Sequence, residues 1–388
     1  MKNNRTFLEK LLDGAEVEWK PLDEVANIAN NARKPVKSSL RISGNIPYYG
    51  ANNIQDYVEG YTHDGEFVLI AEDGSASLEN YSIQSAVGKF WANNHVHVVN
   101  GKEKLNNRFL YHYLTNMNFI PFLAGKERAK LTKAKLQQIP IPIPPLSVQT
   151  EIVRILDALT ALTSELTSEL TSELILRQKQ YEYYREKLLS FDSLEQLNSG
   201  RGKKKLIDVA YFQNGKGHEK NIDENGSFIV INSKFISTNG TIKKYCNDQL
   251  VPLFKEDILI VMSDLPNGKA LAKTFFVTED NKYTLNQRIG RITVKKGGEL
   301  LPSFVNHFLN RNKQLTKYDN GTDQTNLRKD QILDVVIPIP PLKEQHRIVS
   351  ILDKFETLTN SITEGLPLAI EQSQKRYEYY RELLLSFS

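Results

Sequence analysis

Few residues of this sequence stand in a pattern that could catalyse a reaction. The Gly-Lys pairs, such as Gly88-Lys89 and Gly268-Lys269, lack the Ser or Thr that would complete a GxxxxGK[ST] phosphate-binding loop. No GxGxxG follows a predicted strand, and no GxSxG frame holds a serine nucleophile. Catalysis by this chain alone is therefore not expected.

Two further groups contain residue types that are found in reactive sites, but the other residues that such sites require are missing. Glu18-Trp19-Lys20 has the ExK form of a nuclease, but no Pro-Asp dipeptide precedes it. His95 and His97 would lie on one face of a strand as two metal ligands without a third, so packing or surface roles are the simpler interpretation. The proline dipeptides lack the Asp/Asn and aromatic neighbours of an amino-methyltransferase motif.

Basic and amide-rich residues form the remaining chemical signal, in two segments at 125–138 and 310–329. The first contains Lys126, Arg128, Lys130, Lys133 and Lys135, and the second contains Arg311, Lys313, Gln314, Lys317, Gln324, Asn326, Arg328 and Lys329. Lys and Arg neutralise phosphates, and Asn, Gln and Arg can pair with base edges. A solvated face would explain either segment alone, whereas their recurrence before two similar helices favours a nucleic-acid surface.

The elements that position these segments come from a duplication. Residues 141–191 and 337–387 align without a gap at an offset of 196, with 28 of 51 positions identical. Each copy opens with prolines that cannot lie inside a helix and continues with apolar residues spaced three and four apart. The stripes are Ile152, Ile155, Leu156, Leu159, Leu162, Leu166, Leu170 and Leu174, and Ile348, Ile351, Leu352, Phe355, Leu358, Ile362, Leu366 and Ile370. We expect the two long amphipathic helices to pair.

The first helix contains the four-residue unit TSEL three times, over 163–174. Thr and Ser are weak helix formers, and glutamates four residues apart repel, so tertiary pairing must hold this segment. One unit lengthens a helix by ~6 Å and overshoots a turn by ~40°. The repeat is either a ruler that sets distance and rotation or only a low-complexity coiled-coil segment.

The remaining chain predicts two compact α+β globules, at about 15–145 and 192–336. Both have short β-branched and aromatic runs punctuated by Gly, Asn and Pro, and KPLDEVA at 20–26 is echoed by KKKLIDVA at 203–210. The order is globule, helix, globule, helix. The formal charge of +4 argues neither for nor against a polyanionic partner. A single cysteine (Cys246) and the lack of an apolar run near ~18 residues predict a cytoplasmic protein without disulfides or a membrane partner.

This arrangement resembles the specificity (S) subunit of type I restriction–modification systems. The matching residues are Pro338–Leu342, Glu344, Gln345, Ile348–Asp353 and Tyr377–Glu382, with first-copy counterparts 196 positions earlier. The opening FLEKLLDGAEVEWKPLDEV and the four-residue repeat look like the type IC subgroup. The predicted segments are target recognition domains at 1–145 and 192–341, a central helix with TSEL repeats at 146–191 and a distal helix at 342–388.

The resemblance implies a non-catalytic subunit whose two target recognition domains each read one half of a bipartite, asymmetric site in double-stranded DNA. The paired antiparallel helices would set the separation of the domains, with internal pseudo-twofold symmetry. Two methyltransferase subunits and two restriction subunits would be its partners. No cofactor is expected in this chain; S-adenosylmethionine, ATP and Mg²⁺ would belong to those partners.

The expected DNA-binding residues combine the basic segments with polar loop residues of the globules. They are Asn52, Asn53, Ser75, Lys126, Arg128, Lys130 and Lys133 in the first globule, and Asn214, Lys216, Lys269, Lys317, Gln324, Asn326, Arg328 and Lys329 in the second. The aromatic helix ends are open to two interpretations, packing against a neighbouring domain or docking a methyltransferase subunit. Their residues are Tyr181, Tyr184, Arg185, Tyr377, Tyr380 and Arg381.

The two copies differ in two places that bear on this picture. The first has Ser147-Val148-Gln149 where the second has Lys343-Glu344-Gln345. The second has Gly365 and Pro367 within the block that aligns with the TSEL repeats, which predicts a bend or an interruption there. Two alternatives stay open: a coiled-coil scaffold with two protein-binding modules, and a self-contained nuclease or methyltransferase.

Overall fold

The computed structural model describes residues 6–125, 129–197, 202–218, 220–266, 268–361 and 364–387. It divides into two compact units. The first unit comprises Met1–Glu169 with Glu371–Ser388, and the second comprises Leu170–Ile370. Below, the first globule is 15–145 and the second globule is 192–341.

The first unit begins with a short helix and a mixed sheet. The elements that begin in it are, in chain order, α1 (Phe7–Leu12), β1 (Glu18–Pro21), α2 (Leu22–Val25), β2 (Ala26–Ile28), β3 (Ser43–Tyr49), β4 (Ile54–Val58), β5 (His63–Ala71), β6 (Ile83–Ala92), β7 (Val96–Gly101), α3 (Asn107–Thr115), α4 (Lys133–Gln137), β8 (Pro140–Ile143) and α5 (Leu146–Leu189). Single 3-10 turns lie at Asn30–Ala32, Ser38–Leu40 and Ile120–Phe122.

The second unit repeats this order with shorter strands. The elements that begin in it are α6 (Phe191–Leu197), β9 (Lys203–Lys205), α7 (Leu206–Val209), β10 (Ala210–Asn214), β11 (Phe228–Ile231), α8 (Ser233–Ser237), β12 (Tyr245–Cys246), β13 (Ile258–Val261), β14 (Ser263–Asp264), β15 (Thr274–Phe276), β16 (Tyr283–Leu285), β17 (Ile289–Val294), α9 (Pro302–Leu309), α10 (Lys313–Thr316), β18 (Thr325–Asn326), α11 (Lys329–Leu333), β19 (Val336–Pro338), α12 (Leu342–Asn360) and α13 (Leu366–Leu385).

The two globules share one strand topology. The sheet of the first has the order β2-β7-β5-β6-β3-β4, and the second has β10-β17-β13-β15 beside β12-β11-β16. In each, one parallel pair, β3 with β6 or β11 with β16, lies among antiparallel neighbours. In the second globule, the two short strands β15 and β16 together take the place of the ten-residue β6 of the first globule. The duplication therefore includes the globules, whose sequences match only in layout.

The echoed lead-in segments close each globule in the same way. β1 pairs antiparallel with β8, and β9 pairs antiparallel with β19, so the chain entering each globule lies beside the chain leaving it. A lysine then binds the end of the following short helix. The Lys102 ammonium donates to the carbonyls of Asp23 and Glu24, and the Lys295 ammonium donates to those of Ile207 and Asp208.

In the first unit, the start of α5 packs beside the end of α13. Ile152 and Leu156 share a core with Leu384 and Leu385, and further along α5 the hydroxyl of Thr160 donates to that of Tyr377 at 3.1 Å. Residue numbers rise along α5 while those of the contacting α13 residues fall, so the two segments run antiparallel. The first stripe supplies the α5 side of this contact through Ile152 and Leu156, whereas the α13 side comes from Leu384, Leu385 and Tyr377, which lie beyond the second stripe.

The second unit contains the equivalent pair. Ile348 and Leu352 of α12 share a core with Leu188 of α5, and Tyr184 stacks on Phe355 with ring centroids 5.7 Å apart. These segments are also antiparallel. The predicted α+β class, with two globules and paired long helices, is confirmed.

The middle of the predicted stripe departs from expectation. Leu162 and Leu166 are 62% and 42% exposed, although both were expected to face a partner helix. Thr163 and Thr167 are the less exposed side chains of that stretch, and Leu170 and Leu174 are half-buried. A repeat of four residues drifts ~40° per unit around a helix, so leucines in one repeat position cannot all face one partner.

The predicted interruption of the second long helix is confirmed. α12 ends at Asn360 and α13 begins at Leu366, with Pro367 in its first turn. Gly365 has φ +86°, and a Cβ there would lie 2.6 Å from the Thr357 carbonyl oxygen. Leu358, Leu366 and Ile370 are half-buried around this break, and Ile362 lies outside the described residues. Within the described residues, no helix has both the length and the apolar character needed to cross a membrane.

Candidate nucleic-acid interface

The parallel strand pair of the first globule ends at one edge, which we call the first strand-end edge. Its register pairs Tyr49 with Ala92, the last residues of β3 and β6. Two backbone amides close the edge: Asn93 N donates to the Tyr49 carbonyl at 3.2 Å, and Lys34 N donates to the Ala92 carbonyl at 3.0 Å. The turn after β3 and the loop after β6 therefore meet in space.

Asn52 joins the turn after β3 to the loop after β5. Its amide nitrogen donates to the Gly74 carbonyl at 2.8 Å, and its oxygen accepts from Ala76 N at 2.7 Å and from the Ser82 hydroxyl at 2.8 Å. Ser75 donates to the Ser77 carbonyl, and Asn53 accepts from Ile54 N. These three predicted residues lie together, and their hydrogen bonds hold the loops in place.

The first basic segment reaches the same edge. Leu131 N donates to the Glu72 carbonyl at 2.8 Å, and the Lys130 ammonium lies 2.8 Å from the Glu72 carboxylate, which also accepts from Arg33. Partial burial acts to raise the pKa of Glu72, but the hydrogen bonds from Arg33 and Lys130 outweigh it and the pKa is lowered. Lys133 is exposed at the start of α4. Lys126 and Arg128 lie outside the described residues.

The two histidines of this region make structural contacts, His97 in the core and His95 at the surface. His97 is buried, and its ring nitrogens lie 2.9 Å from the Asn30 amide nitrogen and 2.7 Å from the Leu131 carbonyl oxygen. Burial lowers the pKa of His97, which favours a neutral ring. His95 lies 2.5 Å from Asp73 at the edge. Contacts within the protein therefore account for the positions of both His95 and His97.

The second globule forms an equivalent second strand-end edge. Ile231 and Leu285, the last residues of β11 and β16, are paired. Asn286 N donates to the Ile231 carbonyl at 3.1 Å, and Lys216 N donates to the Leu285 carbonyl at 3.2 Å. These two bonds repeat those of Asn93 and Lys34 in the first globule.

The second basic segment also joins its edge through repeated bonds. Leu327 N donates to the Met262 carbonyl at 2.7 Å, as Leu131 N does to Glu72. Met262 N donates to the Arg288 carbonyl at 3.1 Å, as Glu72 N does to His95 at 2.8 Å. Sequence position alone does not relate these pairs, because the loops between them differ in length.

The predicted residues of the second globule are all exposed, but Lys269 lines a different groove, which it shares with Arg185 and Arg311. The exposed positions are Asn214, Lys216, Lys269, Lys317, Gln324, Asn326, Arg328 and Lys329. Gln324 donates to the Ser263 hydroxyl at 2.7 Å, and Asn326 pairs with Ser263 through β18 and β14. Lys329 begins α11, the counterpart of α4, so Lys133 and Lys329 hold equivalent positions 196 residues apart.

Sequence reasoning missed four cationic residues near these edges: Lys34, Lys234, Lys244 and Arg288. Their backbones belong to different loops or to α8, and no run of charge marks them. The strand order alone brings them together, so no signal in the linear sequence could have found them.

A buried glutamine joins each long helical region to its globule. Gln149 donates to the carbonyls of Lys104 and Pro144 and accepts from Asn106 N at 2.9 Å. Gln345 donates to the carbonyls of Glu299 and Pro340 and accepts from Leu301 N at 2.8 Å. Because each glutamine side-chain amide makes three hydrogen bonds, its polar atoms are satisfied although the residue is completely buried. The glutamine shared by both copies is thus a structural joint, which is preserved where the neighbouring Glu344 has no counterpart.

Each half also contains a histidine–aspartate pair, whose aspartate lies further along the same helix as the glutamine. His112 lies 2.8 Å from Asp157, and His307 lies 2.7 Å from Asp353. Burial lowers the pKa of His112, while the Asp157 carboxylate opposes that shift. In the second unit Glu356 also comes near His307 and Asp353. The first unit has the same pair with Thr160 in place of Glu356, so the histidine–aspartate contact does not depend on this third carboxylate.

The aromatic helix ends divide into inward and outward residues. Arg185 donates to the carbonyls of His307 and Asn310, and Arg381 donates to the Asn116 side chain at 3.1 Å. Tyr181 packs near Phe355, and burial raises its pKa. Packing therefore accounts for Arg185, Arg381, Tyr181 and, through its hydrogen bond, Tyr377. Tyr184 and Tyr380 remain 41% and 42% exposed.

This fold and these edges define a class. The model of the family described as "Type I restriction modification DNA specificity domain" matches residues 15–175 and 198–372, so the chain belongs to that family. The resemblance drawn from the repeated helices is confirmed.

Two curated relatives agree over nearly their whole lengths. A Haemophilus influenzae protein, whose name assigns it to the type I restriction enzyme specificity subunits, is 66% identical and covers 100% of both chains. The type I restriction enzyme EcoR124I/EcoR124II specificity subunit of Escherichia coli is 31% identical over 98% of this chain and 97% of its own.

Solved structures support the fold at lower sequence identity. A chain from a study of complex assembly and conformational transition of the type I R-M system has a TM-score of 0.54, 15% identity and coverage of 96% of this chain and 98% of its own. The S subunit of a type I restriction-modification system from M. genitalium has a TM-score of 0.50 at 15% identity, covering 99% and 96%. These likenesses concern the fold alone.

Proposed function

We propose that this chain reads DNA for a type I restriction–modification complex, with each globule contacting one half of a bipartite, asymmetric site. The observation that carries the proposal is the recurrence of one edge in both globules. Each edge gathers loops after parallel strands together with a basic segment, and each exposes amides and cations that can pair with bases and phosphates.

The helices would act as the spacer between the two readers. α5 is one continuous helix from Leu146 to Leu189 that includes the whole TSEL repeat. Such a helix has a fixed rise and rotation per residue, which gives the length of the unspecified spacer a physical cause. The interruption between α12 and α13 assigns this role mainly to α5.

Methyltransferase and restriction subunits would be the partners, and they would bring S-adenosylmethionine, ATP and Mg²⁺. The names of the Haemophilus and Escherichia relatives support a place in such a system. On this proposal the chain itself carries out no reaction and determines which DNA its partners modify.

Methylome sequencing of cells that carry this chain with its partner subunits tests the proposal. We expect methylated adenines in two short specified half-sites separated by a fixed number of unspecified base pairs. Cells with the partner subunits alone are the control and should lack that methylation. A single contiguous motif, or unchanged methylation when an assembled complex lacks this chain, would contradict the proposal.

A further inference from the structure

We infer that a basic groove at the second strand-end edge binds the sugar–phosphate backbone of duplex DNA, with Lys234, Lys244 and Arg288 as its phosphate partners. The inference rests on the proposed function and assigns side chains to it. None of these residues belongs to the basic segment at 310–329, so the groove is a separate contact surface of the second globule.

The groove lies over the carboxyl ends of the parallel strands. It has a volume of about 570 Å³ and lies among α8, β12 and the loop after β16. The lining residues are His218, Ile222, Val230, Asn232, Ser233, Lys234, Lys244, Asn286 and Arg288. The buried His218 supports its rim, because its ring nitrogens lie 2.8 Å from the Lys216 carbonyl and 3.0 Å from the Thr284 hydroxyl.

The charge of the groove is positive. Lys234, Lys244 and Arg288 are exposed, and none of the three forms an ion pair with the described residues. The described lining residues include no acidic side chain. This differs from the first edge, where Glu72 binds Arg33 and Lys130. Cations without carboxylate partners can pair with phosphates without first breaking an internal bond.

The floor of the groove offers polar atoms between the cations. Asn232 uses its oxygen to accept from Phe235 N at 2.9 Å, which leaves its amide N–H groups available to a ligand. The Ser233 hydroxyl is buried and makes no hydrogen bond within the described residues. Amides flanked by cations suit a polynucleotide, because phosphate contacts fix position while amides can bond sugar or base atoms.

Repetition of the fold argues for a macromolecular ligand common to both globules. Asn286 and Lys216 hold the positions that Asn93 and Lys34 hold at the first edge, with the same backbone bonds. The first edge presents Asn52 and His95 where the second presents Lys234 and Arg288. We therefore expect the second globule to contribute more of the salt-dependent part of binding.

The test uses the methyltransferase complex containing the full chain and a duplex with the mapped site. Binding is measured from 50 to 300 mM KCl for wild type and for K234M/K244M/R288M. Each lost phosphate contact should lower the slope of log K against log salt by ~0.9, so the triple variant should lose about 2.7. Its affinity at low salt should fall at least about ten-fold.

K255M/K282M/K296M removes the same charge from residues of the second globule outside the groove, and it should keep the wild-type slope. The single variant R288M should keep the wild-type melting temperature, and its slope of log K against log salt should fall by about 0.9. It keeps the test valid if the triple variant does not fold. If wild type binds the duplex while R288M and the triple variant keep its slope, the groove assignment is wrong. Failure of wild type to prefer the bipartite duplex would instead contradict the proposed function.

Discussion

At the scale of single residues, several buried polar groups repeat between the two halves with equivalent partners. Gln149 and Gln345 make the same three bonds to equivalent backbone groups, and the His112–Asp157 and His307–Asp353 pairs repeat with distances of 2.8 and 2.7 Å. A duplicated chain can diverge at surfaces that meet different ligands, whereas a buried polar joint must remain satisfied. Repetition therefore marks residues that hold the fold, whereas surface residues are free to differ between the two halves.

Replacing Gln345 by Leu should destabilise the contact between α12 and the second globule. The change leaves the Leu301 amide and two carbonyls without their buried partner, at a cost of about 2–4 kcal/mol. Hydrogen exchange measured on peptides covering 299–305 should become faster. K343A, on the same helical turn but exposed, is the matched control. Unchanged exchange in Q345L would show that the glutamine is not a joint.

At the scale of elements, the sequence predicts the long helices but not which side chains are covered in the middle of α5. The doubled proline hinge and the three-and-four spacing mark helix starts and buried faces, and the structure confirms both near Ile152 and Ile348. The expectation failed at Leu162 and Leu166, where the TSEL period rotates the leucines away from the partner side. Periodicity predicts a helix there, but only the partner's position decides which repeat residue is covered.

Deleting one repeat, Thr171–Leu174, should shorten the preferred DNA spacer by about one base pair. The deletion removes ~6 Å and rotates one end by ~40°, close to the ~34–36° of one base-pair step given 10–10.5 base pairs per turn. Methylome sequencing would read both half-sites and the spacer in cells with the deletion. An exchange of Thr171 and Ser172 for alanine keeps the length and should keep the spacer. An unchanged spacer or altered half-sites after deletion would contradict the ruler.

At the scale of the whole molecule, the sequence predicts the order globule, helix, globule, helix, because one duplication builds all four parts. It does not predict the strand-end edges. Lys34 and Asn93, or Lys216 and Asn286, are neighbours only because two strands distant in sequence pair in parallel. Loops of unequal length then hide the equivalence of the two edges. The basic segments could be found, since they are local in sequence; the cations of the groove could not.

The outward tyrosines give the whole molecule a second kind of surface, which we expect to dock methyltransferase subunits. Tyr184 and Tyr380 occupy equivalent positions with nearly equal exposure, as two copies of one docking surface should. Y184A/Y380A should weaken association with the methyltransferase subunit at least about ten-fold, since exposed tyrosines often dominate interfaces. Y181A is the matched control: Tyr184 also stacks on Phe355, so Y184A/Y380A loses some packing, but the loss of the more buried Tyr181 should lower the melting temperature further without weakening association. Co-purification and thermal melting of both variants separate the two roles. A Y184A/Y380A chain that binds normally would leave packing as the only role of these residues.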